Sequence, residues 1–265
     1  MPVPTWRPRL VALDLDETTV VPGSLVTPAV RRAVRRATAA GAHVVIATGR
    51  SVLGTLPVLD ELGLAHGVAL CSNGAVRLDV TRRQGTAVAT FDPAPVVDII
   101  DTLLPGARYG IELIGVGHRV TGEFGAYGLS GLLVRTSRDE LVAEPAARLV
   151  AWWPDAELPK VTAALNGLRL PGADWVLDHS VPWLTVVPTG VSKGAALERL
   201  RRELGVPADA TLAVGDSYND LEMLRWAAHG VAMGQAPEAV RAAADEVTAT
   251  VHEDGVAHVL ERWFS

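Results

Sequence analysis

Cysteine is almost missing from this chain. Cys71 is the single one in 265 residues, which excludes an intrachain disulfide and a cysteine-built zinc site and fits a reducing compartment. Long apolar runs are missing too. No stretch reaches the roughly 18 residues of a membrane-spanning helix, and the residues before Asp14 hold no apolar signal core. The expectation is a cytoplasmic protein without membrane attachment. There is no basic excess: a formal net charge of −6 offers no broad positive surface to nucleic acid, although a local positive site can still hold a small anion. The seven histidines show no metal-ligand spacing. What is present is an ordinary globular composition, 49% hydrophobic and 20% charged, in a chain long enough for one large domain or two modest ones.

The first apolar run, residues 9–13, shows no alternation and reads as a strand buried on both faces of a parallel sheet. Thr27-Pro28 then has the form of a helix cap followed by proline at the first helical position. Val30, Ala33, Val34 and Ala37 recur at helical spacing, and Gly41 closes the helix. The four arginines between them form a solvated face. Residues 43–47 make a second buried strand, giving a strand–helix–strand unit with a right-handed crossover. A helix over 51–62 containing Pro57, a strand over 67–71 and a tight turn at Asn73-Gly74 follow.

Beyond Val80 the texture changes. Asp92-Pro93 opens a short helix that ends near Pro105. Strands are expected over 108–114, 149–153, 174–178 and 183–187, with a helix over 158–168 and glycine-rich loops or a hairpin between Gly115 and Gly131. The α/β alternation resumes after Thr189-Gly190. Ser192 caps a helix to Leu204, and 211–214 is a buried strand ending in Gly215-Asp216. Helices over 218–228, 237–244 and 255–263 and short strands near 231–233 and 247–248 complete the chain. The reading is an α/β protein: a Rossmann-like doubly wound parallel sheet core, residues 1–81 and 189–265, with an inserted α/β cap domain, residues 82–188. Insertion is tolerated because the ends of a domain often lie close together.

In an extended chain residues i and i+2 point the same way, so Asp14 and Asp16 converge where the first strand stops. In open α/β sheets that carboxyl edge is where ligands bind. Two carboxylates that close repel unless a cation or proton lies between them, and Mg²⁺ typically takes one or two carboxylates plus phosphate oxygens. Thr48-Gly49 ends the next strand, Lys193 opens a helix, and Gly215-Asp216-Ser217-Tyr218-Asn219-Asp220 follows a later strand, all on the same edge. The chemistry this suggests is phosphoryl transfer. Asp14 is the in-line nucleophile, and Asp16 is the acid and base. Asp216 completes the metal sphere, with Asp220 supporting it one helical turn later. The Thr48 hydroxyl and nearby N–H groups hold phosphoryl oxygens.

These segments resemble the motifs of haloacid dehalogenase-like phosphohydrolases, in particular the Cof-type sugar-phosphatase-like branch. The resemblance rests on DLDETT, ATGR, SNGA at Ser72 to Ala75, TGVSKGAAL, GDSYNDLEML, GVAMGQA and EDGVAHVL, in the family's order. It implies an inserted α/β cap. It also implies an aspartyl-phosphate on Asp14, an Asp16 whose backbone carbonyl reaches the metal, and Asp216 as third protein ligand. Leu15 (through its N–H), Thr48, Gly49, Lys193 and Asn219 match the phosphate-binding positions. The implied activity is Mg²⁺-dependent hydrolysis of a small phosphorylated metabolite such as a sugar phosphate. Two departures stand out: Glu17 replaces the glycine common after the second aspartate, and Gln235 replaces an asparagine. The alternatives are a phosphomutase of the same superfamily and a weakly active member that binds a metabolite. Arg50 either meets a carboxylate of the site or covers the sheet edge. His179, the region 108–119, and the cap tryptophans Trp152, Trp153, Trp175 and Trp183 are candidates for specificity contacts, with packing the expected role of the tryptophans.

Overall fold

A computed structural model describes residues 6–125 and 128–264. Leu10–Leu13 is buried at every position and lies inside a five-stranded parallel sheet. The strand order is Glu246–Val247, His229–Ala232, Thr211–Gly215, Leu10–Leu13, His43–Ile46. Pleating sends alternate residues to opposite faces. Val11 and Leu13 therefore enter one apolar cluster and Leu10 and Ala12 another. Helices Pro28–Ala39, Val52–Leu62 and Gly255–Glu261 cover the first face. Helices Lys193–Glu203, Leu221–Trp226 and Glu238–Arg241 cover the second. This is the doubly wound core expected from the sequence.

The local signals act as anticipated. Thr27 Oγ1 accepts from Val30 N at 3.2 Å with Pro28 at the first helical position, and Ser192 Oγ accepts from Ala195 N at 3.1 Å. The helix through Pro57 stays a single element. Val68–Cys71 continues the parallel sheet through one bridge, Ala47 to Leu70. It also pairs antiparallel with Val76–Asp79, which pairs with Gln84–Ala87. The expected tight turn at Asn73-Gly74 joins the first two of these strands. The strands after it lie beyond the sequence reading, although Val76 and Leu78 are buried and Arg77 and Asp79 are not, the alternation of a half-buried strand.

A second, mixed sheet of six strands forms the cap. Its order is Ala173–Leu177, Trp183–Pro188, Leu149–Trp152, Arg108–Leu113, Gly117–Val120, Leu132–Arg135. Helices Pro93–Leu103 and Leu158–Ala164 pack on one face with Ile111, Leu149 and Leu184. The second helix stops short of Leu168, yet Leu165 and Leu168 remain buried in that cluster. Between Gly115 and Gly131 the hairpin appears as Gly117–Val120 against Arg108–Leu113, while residues 126 and 127 lie outside the described residues. Leu132–Arg135, absent from the sequence reading, adds in parallel at the sheet margin. The tryptophans pack: Trp153 Nε1 donates to Leu104 O at 2.9 Å, and Trp152 and Trp183 lie against Phe124.

Candidate active site

The carboxyl ends of the parallel strands meet at one edge, and there the charged residues gather. Lys193, at the start of its helix, is fully buried, and its Nζ donates to Asp14 Oδ1 at 2.6 Å and to Asp220 Oδ1 at 2.7 Å. Asp220 holds the loop after the Thr211–Gly215 strand, its Oδ2 accepting from Asp216 N and Ser217 N at 3.0 Å each. This is why the stretch from Tyr218 begins as a 3₁₀ turn, Tyr218–Asp220, before the α-helix Leu221–Trp226. A side chain on Gly215 would sit 2.5 Å from the Asp220 carboxyl carbon, so the close approach needs glycine. Thr18 Oγ1 donates to Asp216 Oδ1 at 2.8 Å, and Thr19 Oγ1 to Asp14 O at 2.5 Å.

Asp14, Asp216 and Asp220 each place a carboxylate oxygen within 4.8 Å of the others, and all three are buried. One buried ammonium faces three buried carboxylates. Burial, and after it the neighbouring carboxylates, pushes the Asp14 and Asp216 carboxyls well above the ordinary carboxylate range. For Lys193 burial disfavours the charge, but Asp14 and Asp220 outweigh it and raise the ammonium above its ordinary value. The cluster is short of positive charge. Hard oxygen donors at this spacing suit a hard divalent cation.

Thr48 is buried; its Oγ1 accepts from Arg50 N at 3.1 Å and its carbonyl from Asn73 N at 2.9 Å. Asn219 Nδ2 donates to Asn73 Oδ1 at 3.0 Å, and a Cβ on Gly49 would lie 3.3 Å from that same oxygen. Leu15 is buried, and its carbonyl accepts from the N–H groups of Thr18, Thr19 and Val20. Beside Asn73 and Asn219 a cleft of about 690 Å³ opens between core and cap, lined also by Arg169, Trp175 and Tyr218.

Known proteins combine the same parts. The chain matches the family described as haloacid dehalogenase-like hydrolase over residues 11–115 and 175–260. It belongs to the haloacid dehalogenase-like hydrolases. Phosphatase YwpJ of Bacillus subtilis is 31% identical over 96% of this chain and 99% of its own length. A second B. subtilis protein, 5-amino-6-(5-phospho-D-ribitylamino)uracil phosphatase YitU, is 26% identical over 98% of both. The crystal structure of a haloacid dehalogenase-like hydrolase from Bacteroides thetaiotaomicron, 26% identical, superposes with a TM-score of 0.79 over 97% of this chain and 100% of that one. The chain is thus an enzyme, a haloacid dehalogenase-like phosphatase.

Within this haloacid dehalogenase-like site two residues go beyond the sequence reading. Arg50 meets a carboxylate: its Nε donates to Asp16 Oδ2 at 2.9 Å and its Nη2 to Asp16 Oδ1 at 2.5 Å. The Asp16 side chain is therefore turned to Arg50 rather than gathered with Asp14, Asp216 and Asp220. Glu17 adopts φ 55, a left-handed conformation that glycine takes at no steric cost. Its carbonyl accepts from Gln235 Nε2, and Gln235 Oε1 accepts from Val251 N at 3.2 Å, so the second departure from the family pattern pins the first. Glu17→Gly is expected to leave the unfolding free energy within about 1 kcal/mol of wild type, because relief of strain offsets the added freedom of the unfolded chain. A larger loss in denaturant titration would show that the Glu17 side chain itself stabilises the loop. Thr18, Asn73 and Ser217 also shape the site. All three lie inside the quoted motifs DLDETT, SNGA and GDSYNDLEML, but the sequence alone assigned them no role.

Proposed function

We propose that this chain is a Mg²⁺-dependent phosphatase of the Cof-type branch, cytoplasmic, acting on a small phosphorylated metabolite through an aspartyl-phosphate intermediate. The observation that carries the reading is the buried set of Asp14, Asp216 and Asp220 around Lys193. Asp14 and Asp216, with the Asp16 carbonyl, are the residues to hold the ion, and Asp220 supports them through Lys193 and the Asp216 N–H. When bound, the ion would neutralise carboxylate and phosphate charge so that an anionic nucleophile can approach an anionic ester.

The chain's own groups do the rest. Lys193 engages Asp14 Oδ1, which leaves the other oxygen to attack phosphorus in line. The Leu15 N–H, Thr48, Gly49, Lys193 and Asn219 hold the phosphoryl oxygens, lowering the charge that builds on them. Asp16 protonates the leaving oxygen and then takes a proton from the attacking water. Both of its carboxylate oxygens accept from Arg50, so the acid role requires that pair to open as substrate enters. The division of the chain into a core of 1–81 and 189–265 and a cap of 82–188 belongs to the same proposal, with the cap excluding water from the reacting groups. The substrate classes to assay first are sugar phosphates and, from the name of the YitU relative, ribityl phosphates.

The test is phosphate release from an aryl phosphate and from a panel of phosphorylated metabolites. Turnover is expected with Mg²⁺, loss of turnover with a chelator, and recovery on adding Mg²⁺ back. Turnover that persists in chelator removes the ion from the reading. Isomerised sugar phosphate in place of free phosphate identifies a phosphomutase.

A further inference from the structure

Ser72 and Asn73 stand in succession at φ 51 and φ 56, followed by Gly74 at φ 93. Left-handed conformations at non-glycine residues are costly and persist where the surroundings over-determine them. Here the surroundings are visible. Ser72 N donates to Arg50 O at 2.8 Å, and Asn73 N donates to Thr48 O at 2.9 Å. The third restraint comes from the other sheet. Glu112, on the Arg108–Leu113 strand of the cap, is almost fully buried. Its Oε2 accepts from the Ser72 hydroxyl and its Oε1 from Val52 N at 3.2 Å, at the start of a core helix. A buried carboxylate accepts only, so both donors are needed to satisfy it. Arg148 is buried nearby; burial lowers its guanidinium below the ordinary value, and the neighbouring Glu112 acts against that lowering. What the strained turn delivers is Asn73, whose Oδ1 receives the Asn219 amide beside Gly49.

We infer that Glu112 is a positioning residue: by clamping Ser72 and Val52 it holds Asn73 and Asn219 in register with the phosphate-binding loop, so that seating of the cap sets phosphate affinity. The inference rests on the phosphatase reading for its purpose, but its test does not need turnover. The measurement is calorimetric binding of inorganic phosphate in MgCl₂, together with hydrolysis of an aryl phosphate, for wild type, Glu112→Ala, Glu112→Gln and Ser72→Ala.

Losing a buried charge-assisted acceptor predicts about ten-fold weaker phosphate binding in Glu112→Ala, with a matching fall in kcat/KM. Glu112→Gln is expected to stay within about three-fold of wild type. Its amide oxygen can accept from Val52 N–H and its NH₂ can donate to the Ser72 hydroxyl, which accepts as well as donates. Ser72→Ala, which keeps the Val52 contact, is expected to weaken phosphate by about three-fold or more. Wild-type phosphate affinity in both Glu112→Ala and Ser72→Ala overturns the inference. So does a Glu112→Gln variant as impaired as Glu112→Ala, because charge rather than placement would then be the cause. Should Glu112→Ala fail to fold, Ser72→Ala decides alone, and undiminished affinity there overturns the inference. A wild type that binds phosphate but hydrolyses no ester defeats the phosphatase reading and leaves this inference to the affinity ratios. A wild type that binds no phosphate overturns this inference, while ester turnover decides the phosphatase reading separately.

Discussion

Asp14→Asn is expected to reduce hydrolysis of any phosphate ester by at least about 10³-fold, the scale on which removal of a nucleophile is felt. The fold should survive. Thr19 bonds the backbone carbonyl of residue 14 and not its side chain, and an asparagine oxygen can still accept from Lys193. Burial already disfavours the ionised Asp14 side chain, so a neutral amide of the same shape suits the pocket. Rapid-quench turnover of an aryl phosphate, with circular dichroism to check the fold, decides the matter. Wild-type turnover would refute the nucleophile assignment.

Lys193→Met is expected to lower the unfolding free energy by about 3–5 kcal/mol in chelator at neutral pH, since breaking a buried ion pair leaves uncompensated charge. Here one ammonium serves two buried carboxylates, Asp14 and Asp220. Two further results should follow. Adding Asp220→Asn to Lys193→Met should recover part of the loss, because one orphaned charge is removed. Acidification should also narrow the gap to wild type. Burial holds the Asp14 and Asp216 carboxyls above the ordinary range and Lys193 acts to lower them, so without the ammonium they hold protons more tightly still than in the unfolded chain, and protonation favours folding as pH falls. Denaturant titrations at several pH values check both. A loss below about 1 kcal/mol would mean that water or a rearranged side chain replaces the ammonium, and the charge balance described for this site would be incorrect.

The catalytic edge was legible because strand ends and helix starts announce themselves locally. Asp14, Thr48 and Asp216 each follow an apolar strand run, and Lys193 follows the Ser192 cap. A doubly wound sheet brings such ends to one side. What stayed hidden depends on partners far away in sequence. Nothing near Arg50 distinguishes a guanidinium bound to Asp16 from one covering the sheet edge, so both readings stood until the fold brought them together. The Ser72–Glu112 bond crosses from core to cap and leaves no periodicity to read. The Leu132–Arg135 strand is exposed throughout, so it lacks the inside–outside alternation that marks a half-buried strand. Glu17 was legible as a departure from a family pattern, but its left-handed backbone, which explains why glycine suits the position, was not.

Leu10–Leu13 lies between His43–Ile46 and Thr211–Gly215. One neighbour leaves the ribosome soon after it, and the other only after the whole cap segment has been made. The contact order of the central sheet is correspondingly high, and closing so large a loop precedes any reward from pairing. During synthesis one margin of the Leu10–Leu13 strand stays unpaired while the inserted segment emerges, an interval in which a nascent chain is open to aggregation or chaperone capture.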